Sequence, residues 1–135
     1  MAVKEIVPTE QQEQIALFRW VELNSGKRPE LELLFHIPNG GKRGAKEAAI
    51  FKASGVKRGV PDLCLPVARK GYHGLYIEMK RKKGGYAQPT QIRWARDLER
   101  QGYAVALCKG WLEAAKVLED YLDDGREIFV CQNVD

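Results

Sequence analysis

The stretch LYIEMKRKKGGYAQPTQIRWARDLERQGYAVALC, Leu75–Cys108, decides the fold of this chain. Its first six residues alternate between apolar and polar side chains, which is the pattern of a half-buried strand. A helix begins at Pro89 or Thr90 and ends before Gly102, and Tyr103–Cys108 has the composition of a short buried strand. A strand, a helix and a second strand in this order predict a right-handed parallel crossover. The sequence therefore indicates an α/β domain.

The rest of the chain predicts further helices and strands on both sides of this crossover. Thr9, followed three residues later by Gln12, is typical of a helix N-cap. Periodicity and turn residues then place a helix ending near Asn24, a strand at Leu33–Ile37, a helix at Ala45–Ser54 closed by Gly55, a strand at Val60–Val67, a helix at Trp111–Leu122 and a possible edge strand at Ile128–Cys131. We expect a mixed sheet flanked by helices.

Length and composition describe one ordinary globular domain covering residues 1–135. Hydrophobic residues make up 44% of the chain and charged residues 30%, which excludes a disordered tail. No apolar run approaches the roughly 20 residues that span a bilayer, and the first residues are too polar for a signal peptide. We therefore expect a cytoplasmic protein. The cysteines, Cys64, Cys108 and Cys131, lack metal-site spacing and are interpreted as buried apolar side chains.

Charge distribution favours a polyanionic partner. The formal net charge is only +4, from 22 Lys and Arg against 18 Asp and Glu. Basic residues crowd into the middle of the sequence, above all at Lys80–Lys83, and acidic residues collect toward both ends. A basic centre suits a nucleic acid lying across the domain, although most such clusters are solvated surface.

The residues that carry chemistry are Asp62, Glu78 and Lys80. Residues i and i+2 of a strand point to the same face, so Glu78 and Lys80 project together. If the strand that follows Asp62 pairs with theirs, Asp62 meets Glu78 across the ladder. Two carboxylates are ligands that Mg²⁺ or Mn²⁺ prefers, and a lysine beside them could stabilise charge on a reacting phosphate. The alternative is a surface salt bridge, which is less suited to residues set in apolar runs.

These residues, with several others, resemble the VRR-NUC nucleases, a branch of the PD-(D/E)xK superfamily. The similar segments occur in the family's order and cover nearly the whole chain: Thr9-Glu10, Ile37–Arg43, Val56–Asp62, Ile77–Lys80 and Pro89–Gln91. One departure is that the arginine pair of the family name is Lys57–Arg58 here. The resemblance implies a restriction-endonuclease-like core and a stand-alone domain of phage or bacterial type.

The resemblance also implies roles for individual residues. It makes Asp62 and Glu78 the metal ligands, with the backbone carbonyl of Met79 as a third, and it makes Lys80 the catalytic lysine. Gln91 matches a helix glutamine that holds the lysine or the phosphate; otherwise it would be interpreted as a solvated residue. An acidic residue of the first helix completes the site in the family. Glu10 fits this position best, and Glu13 remains an alternative.

Several further residues are candidates for contact with DNA. Asn39, Lys42 and Arg43 in one loop and Arg81, Lys82 and Lys83 in another could bind phosphates, and the alternative is that both are plain solvated loops. His36 in its apolar strand is more typical of a partly buried structural histidine than of a ligand. Trp20, Trp94 and Trp111 are expected to pack in the core rather than stack on bases.

The prediction for function is a structure-selective endonuclease that hydrolyses phosphodiester bonds of branched DNA with Mg²⁺ or Mn²⁺, for example a Holliday-junction-type resolvase. One alternative is a nuclease for flaps, nicks or ends. Another is a catalytically silent DNA-binding module for replication or repair. We expect a homodimer, because a symmetric junction offers two equivalent strands. The final helix, through Val117, Leu118, Tyr121 and Leu122, is one candidate interface, unless that face simply covers the sheet.

Overall fold

A computed structural model describes residues 6–38 and 44–125 of the chain. Within these residues four α-helices and four strands follow one another in an α/β order. They are α1 (Glu10–Asn24), β1 (Phe35–His36), α2 (Ala45–Ala53), β2 (Leu63–Leu65), β3 (Leu75–Lys80), α3 (Pro89–Arg100), β4 (Ala104–Lys109) and α4 (Trp111–Leu122), with a 3₁₀ helix at Pro29–Leu33. No helix among them is long and apolar enough to cross a membrane.

The described strands form one mixed sheet in the order β1-β2-β3-β4. β1 and β2 are antiparallel, β2 and β3 are antiparallel, and β3 and β4 are parallel. The expected parallel crossover is therefore confirmed, with α3 as its helix. In the β2–β3 register Leu63 lies opposite Ile77, so the residue before β2 comes beside Glu78.

One face of the sheet is covered by α1 and α4. Side chains that alternate along β3 and β4, among them Ile77 and Ala106, are fully buried against Leu17 of α1 and Val117 of α4. The opposite face carries α3, whose Ala95 lines a small cavity with residues of β3 and β4. Glu78 and Lys80 point toward this second face, at the carboxyl end of β3.

The inward face of α4 rules out one predicted interface. Val117, Leu118 and Tyr121 are fully buried and Leu122 is 4% exposed. The Tyr121 hydroxyl donates a hydrogen bond of 2.6 Å to the carbonyl oxygen of Val67 beneath it. The expectation that these four residues form a dimer contact is wrong, because they already cover the sheet.

Two predicted strands are shorter than expected, and prolines explain both. Pro29 begins a 3₁₀ helix that buries Leu31, so Leu33 and Leu34 lie outside the strand and β1 keeps two residues. Pro61 and Pro66 flank β2 and lack the N–H that a ladder requires, so β2 is limited to Leu63–Leu65. The predicted edge strand at Ile128–Cys131 lies outside the described residues.

The sequence signals for helix ends are confirmed. Thr9 and Gln12 form a reciprocal capping box at the start of α1. Gly55, with a φ of 100°, follows α2 as expected of a helix C-terminal glycine. α2 is unusual in that none of its residues is buried. It therefore contributes no side chain to the core.

Candidate active site

The centre of the site is the pair Asp62 and Glu78. The register of β2 and β3 brings Asp62 beside Glu78, as the sequence predicted, although Asp62 precedes β2 rather than lying within it. Its Oδ2 accepts a hydrogen bond of 2.7 Å from the backbone N–H of Met79. On the other side, the carbonyl oxygen of Asp62 accepts a hydrogen bond of 2.7 Å from the N–H of Ile37. Two strands therefore fix Asp62.

Lys80 lies next to this pair and is also buried. Its Nζ is 3.7 Å from Glu78 Oε1 and 3.9 Å from Glu10 Oε1. The Lys80 and Glu78 side chains are each 8% exposed, whereas Glu10 is 51% exposed at the rim. Because Glu10 lies in the first turn of α1, the N-terminal end of α1 meets the end of β3 here. The structure thus brings the predicted lysine between two predicted carboxylates.

Gln91 joins the site from α3. Its Nε2 donates a hydrogen bond of 2.8 Å to Glu78 Oε1, and its Oε1 accepts one of 2.8 Å from the backbone N–H of Gln88. Gln91 is therefore held by the helix N-terminus and in turn holds Glu78. The turn that precedes Asp62 packs closely against α3 at Gly59, whose φ is 94°. A Cβ there would lie 2.9 Å from the carbonyl oxygen of Thr90, so only glycine allows this approach.

Electrostatics at the carboxylate pair favour an extra positive charge. Burial raises the pKa of Glu78 to about 9, and the nearby charge of Asp62 adds to that rise, while Lys80 opposes it. Burial likewise raises the pKa of Asp62, against the hydrogen bond from Met79. The second oxygen of Glu78, Oε2, is buried and receives no hydrogen bond. Glu78 therefore keeps its proton well above its ordinary range unless a cation replaces it.

Two carboxylates and a main-chain oxygen could serve as the donor set for such a cation. No group of three or more His, Cys, Asp and Glu side chains within residues 6–38 and 44–125 is arranged to hold a metal ion. If a metal ion binds the two carboxylates, a third protein ligand would come from the backbone. Met79 directs its N–H toward Asp62, and in a strand the N–H and C=O of one residue share a side. Lys80, the next residue, directs its carbonyl oxygen the opposite way, to the N–H of Gly110. The Met79 carbonyl accordingly faces the carboxylates.

The structure separates Glu10 from Glu13, which the sequence left as alternatives. Glu13 is 2% exposed, and its Oε1 accepts a hydrogen bond of 3.2 Å from the N–H of Trp111. It thus places a carboxylate at the positive N-terminus of α4. Glu10 is the first-helix acid that contacts Lys80. Glu13 ties α1 to α4 instead.

The basic candidates have different positions. Arg81, Lys82 and Lys83 are all exposed and follow Lys80 directly. Arg81 donates a hydrogen bond of 3.4 Å to the carbonyl oxygen of Val7, and the stem of Lys82 lies over Gly110. The other three, Asn39, Lys42 and Arg43, lie outside the described residues, so their contact with DNA stays a prediction.

Two residues beside the site were not assigned to it from the sequence. His36 is exposed rather than partly buried, and its Nδ1 lies 2.9 Å from the carbonyl oxygen of Asp62. Lys109 lies opposite Lys80 in the β3–β4 register. The sequence predicted that the strands ending at Lys80 and near Cys108 are parallel. Aligning the ends of these two strands could have placed Lys109 beside Lys80.

Comparison with known proteins agrees with this geometry. Residues 8–111 match the VRR-NUC domain family, and this span holds every side chain of the site. A solved structure described as a VRR_NUC domain protein is 34% identical, covers 96% of this chain and 99% of its own, and superposes with a TM-score of 0.75. No curated protein matches the chain. The chain belongs to the VRR-NUC domain family, a family of nuclease-type domains, and has its α/β fold.

Proposed function

We propose that this protein is a metal-dependent endodeoxyribonuclease selective for branched DNA. The observation that carries the proposal is the carboxylate pair Asp62 and Glu78, in which Glu78 is buried, with the buried Lys80 beside it. A buried carboxyl group with a raised pKa and an oxygen that accepts no hydrogen bond is a costly arrangement in a protein that has no use for it. A nuclease-type domain has such a use, because a divalent cation would neutralise both carboxylates.

Asp62, Glu78 and the Met79 carbonyl would hold Mg²⁺ or Mn²⁺. These are hard oxygen ligands, which suit both ions. The bound ion would polarise the scissile phosphodiester and lower the pKa of a water molecule. Asp62 is prepared for this role by its fixed position between β1 and β3. Preorganised ligands lower the cost of binding.

Lys80 supplies the positive charge that the protein itself brings to the phosphate. It is buried, and its Nζ lies within ion-pair distance of Glu78 and Glu10, which keep it directed into the site. Its ammonium group would orient the attacking water or stabilise the charge that develops on the phosphate. Gln91 keeps Glu78 in place, and Glu10 holds Lys80 from the outer side. Gln91 and Glu10 are thereby positioning residues.

DNA would approach along the basic segment that follows Lys80. Arg81, Lys82 and Lys83 are exposed beside the site and would contact phosphates without reading bases. Asn39, Lys42 and Arg43 are proposed to do the same from the second loop. Such contacts steer any DNA to the site, so selectivity for branches must come from other features of the site or from the arrangement of two subunits.

We propose a symmetric homodimer formed through α2. The inward face of α4 is unavailable, whereas α2 has no buried residue and carries Ile50 57% exposed. A helix that exposes a large apolar side chain is a suitable contact in a two-fold dimer. Light scattering should report twice the mass of one chain, and Ile50→Asp should halve it. Leu23→Asp, at an apolar residue 83% exposed on α1, is the matched control and should leave the dimer intact.

The test of the activity is cleavage of matched linear, nicked, flap and four-way DNA with and without Mg²⁺ or Mn²⁺. We expect metal-dependent cutting of the four-way substrate that survives an excess of linear duplex. Asp62→Ala should abolish cutting but leave the fold and some DNA affinity. Preferred cutting of flaps or nicks would indicate the alternative substrate, and a folded wild-type protein that binds but cuts nothing would indicate a silent DNA-binding module.

A further inference from the structure

An exposed aromatic ring lies beside the proposed active site. Tyr86 is 72% exposed, although a tyrosine in a loop normally packs at least one face of its ring. The Nζ of Lys109 lies 5.8 Å from the centroid of this ring. The ring is thus flanked by a cation and open to solvent over most of its surface. This pairing of an aromatic with a lysine belongs to neither the core nor the metal site.

The position of Tyr86 is fixed by its two chain neighbours. Gly85 folds back so closely that a Cβ on it would lie 2.9 Å from the Cβ of Lys80 and 2.9 Å from the backbone nitrogen of Arg81. Ala87, on the other side, lines a small cavity together with Glu78 and Gln91. Tyr86 is therefore bracketed by residues that contact the catalytic strand, and its ring cannot move far from the site.

Lys109 is held in an equally fixed place. It ends β4 directly opposite Lys80 on β3, and residues paired across parallel strands project to the same face. Its backbone N–H donates a hydrogen bond of 3.2 Å to Glu113 Oε2. The two lysines thus stand on neighbouring strands, one directed to the carboxylates and the other to the Tyr86 ring. A nucleic acid strand that reaches Lys80 would meet Lys109 and Tyr86 next.

We propose that the ring of Tyr86 stacks on an unpaired nucleobase next to the cleaved phosphodiester, with Lys109 contacting the adjoining phosphate. This inference rests on the proposed function and specifies which feature of branched DNA the site recognises. An aromatic side chain with a neighbouring cation is the usual platform for a base in single-stranded nucleic acid. Bases within a continuous duplex are already stacked on each other and cannot use it. A branch point offers bases that have lost a neighbour.

The experiment is a cycle that combines a protein change with a DNA change. Four-way or flap substrates are prepared with each base near the cut replaced in turn by an abasic sugar. Stacking contributes about 1–3 kcal/mol per base, so Tyr86→Ala should slow cleavage of the intact branched substrate by about 5- to 150-fold. Tyr86→Phe keeps the ring and should retain wild-type rates. The abasic sugar at the contacted position should slow the wild-type protein by a similar factor and slow Tyr86→Ala no further.

Controls keep the inference separate from the proposed function. Leu112→Ala, at an apolar residue 59% exposed on α4, should leave every rate unchanged. If Tyr86→Ala lowers the cleavage rate by the same factor on every substrate, abasic or intact, the ring stacks on no base and the inference is overturned. Rates of Tyr86→Ala equal to wild type throughout would overturn it as well. Failure of the wild-type protein to cut any DNA would instead refute the proposed function.

Discussion

Replacement of Glu78 by glutamine should stabilise the metal-free protein while removing its activity. In the folded protein a protonated Glu78 donates a hydrogen bond to Asp62 and accepts one from Gln91. A glutamine at this position can do both, through its NH₂ and its carbonyl oxygen. It imitates the protonated acid without its tendency to ionise. A residue proposed to bind a cation would thereby destabilise the fold that lacks one.

The size of the effect follows from the pKa of Glu78. That pKa is 4.5 for a glutamate side chain free in water and about 9 in the fold. Between these values the unfolded chain has released a proton that the folded chain retains, so rising pH favours unfolding. The contribution is fully present below the lower value and is lost progressively up to the higher one. The loss approaches about 1.4 kcal/mol per pH unit, or roughly 4 kcal/mol between about pH 5 and pH 8.

The assay is urea unfolding of the wild-type protein and Glu78→Gln in a metal chelator at several pH values. The two proteins should have similar stability near pH 5, and the variant should be clearly more stable near pH 8. Asp62, whose pKa is also raised, contributes a dependence of the same sign to both. Glu119→Gln, at an exposed position on α4, is the control and should follow the wild type. Parallel pH profiles for wild type and Glu78→Gln would refute the reasoning.

Three further predictions follow from contacts in and around the site. Lys80→Ala should lower kcat by roughly two to four orders of magnitude with little loss of metal affinity in calorimetry; a marked loss would show that Lys80 was misassigned. Glu13→Ala should lower the free energy of unfolding by about 1–3 kcal/mol but leave single-turnover cleavage by folded protein unchanged. Glu10→Ala should slow cleavage and leave the free energy of unfolding nearly unchanged. Gly59→Ala should destabilise the fold by more than about 2 kcal/mol, whereas Gly26→Ala, which meets no neighbour, should change little; equal melting temperatures would refute the close packing on α3.

Most of the fold could be predicted because periodicity and capping residues agree along the chain. The helices α1, α3 and α4 begin and end within about a residue of their sequence signals. The errors arise where an apolar run is longer than the strand within it. Leu34 is buried although it lies between the 3₁₀ helix and β1, and Leu33, the last residue of that helix, is 52% exposed. Apolar composition alone cannot distinguish such residues from those of a strand.

The site could be predicted to the extent that strand geometry determines it. The i, i+2 rule placed Glu78 with Lys80, and the pairing of adjacent strands placed Asp62 beside them. Their roles as ligands and catalyst stay predictions. Glu10 could be distinguished from Glu13 only in three dimensions, because both lie in the first turn of one helix and the docking angle of α1 decides which reaches Lys80. Lys109 could be placed beside Lys80 only from the register of β4 against β3.

Glu10 and Gln91 are the first and last of the proposed site residues along the chain, so the site forms only after a long stretch of sequence has been synthesised. Glu10 contacts Lys80, which lies 70 positions further along the chain. No segment shorter than 10–91 contains all five proposed side chains, and α3, which carries Gln91, packs against β4, which is translated later. A growing polypeptide on the ribosome should therefore lack the proposed DNA-cleaving site until its core is complete. A copy cut by a protease within this span should lose its chemistry along with its structure.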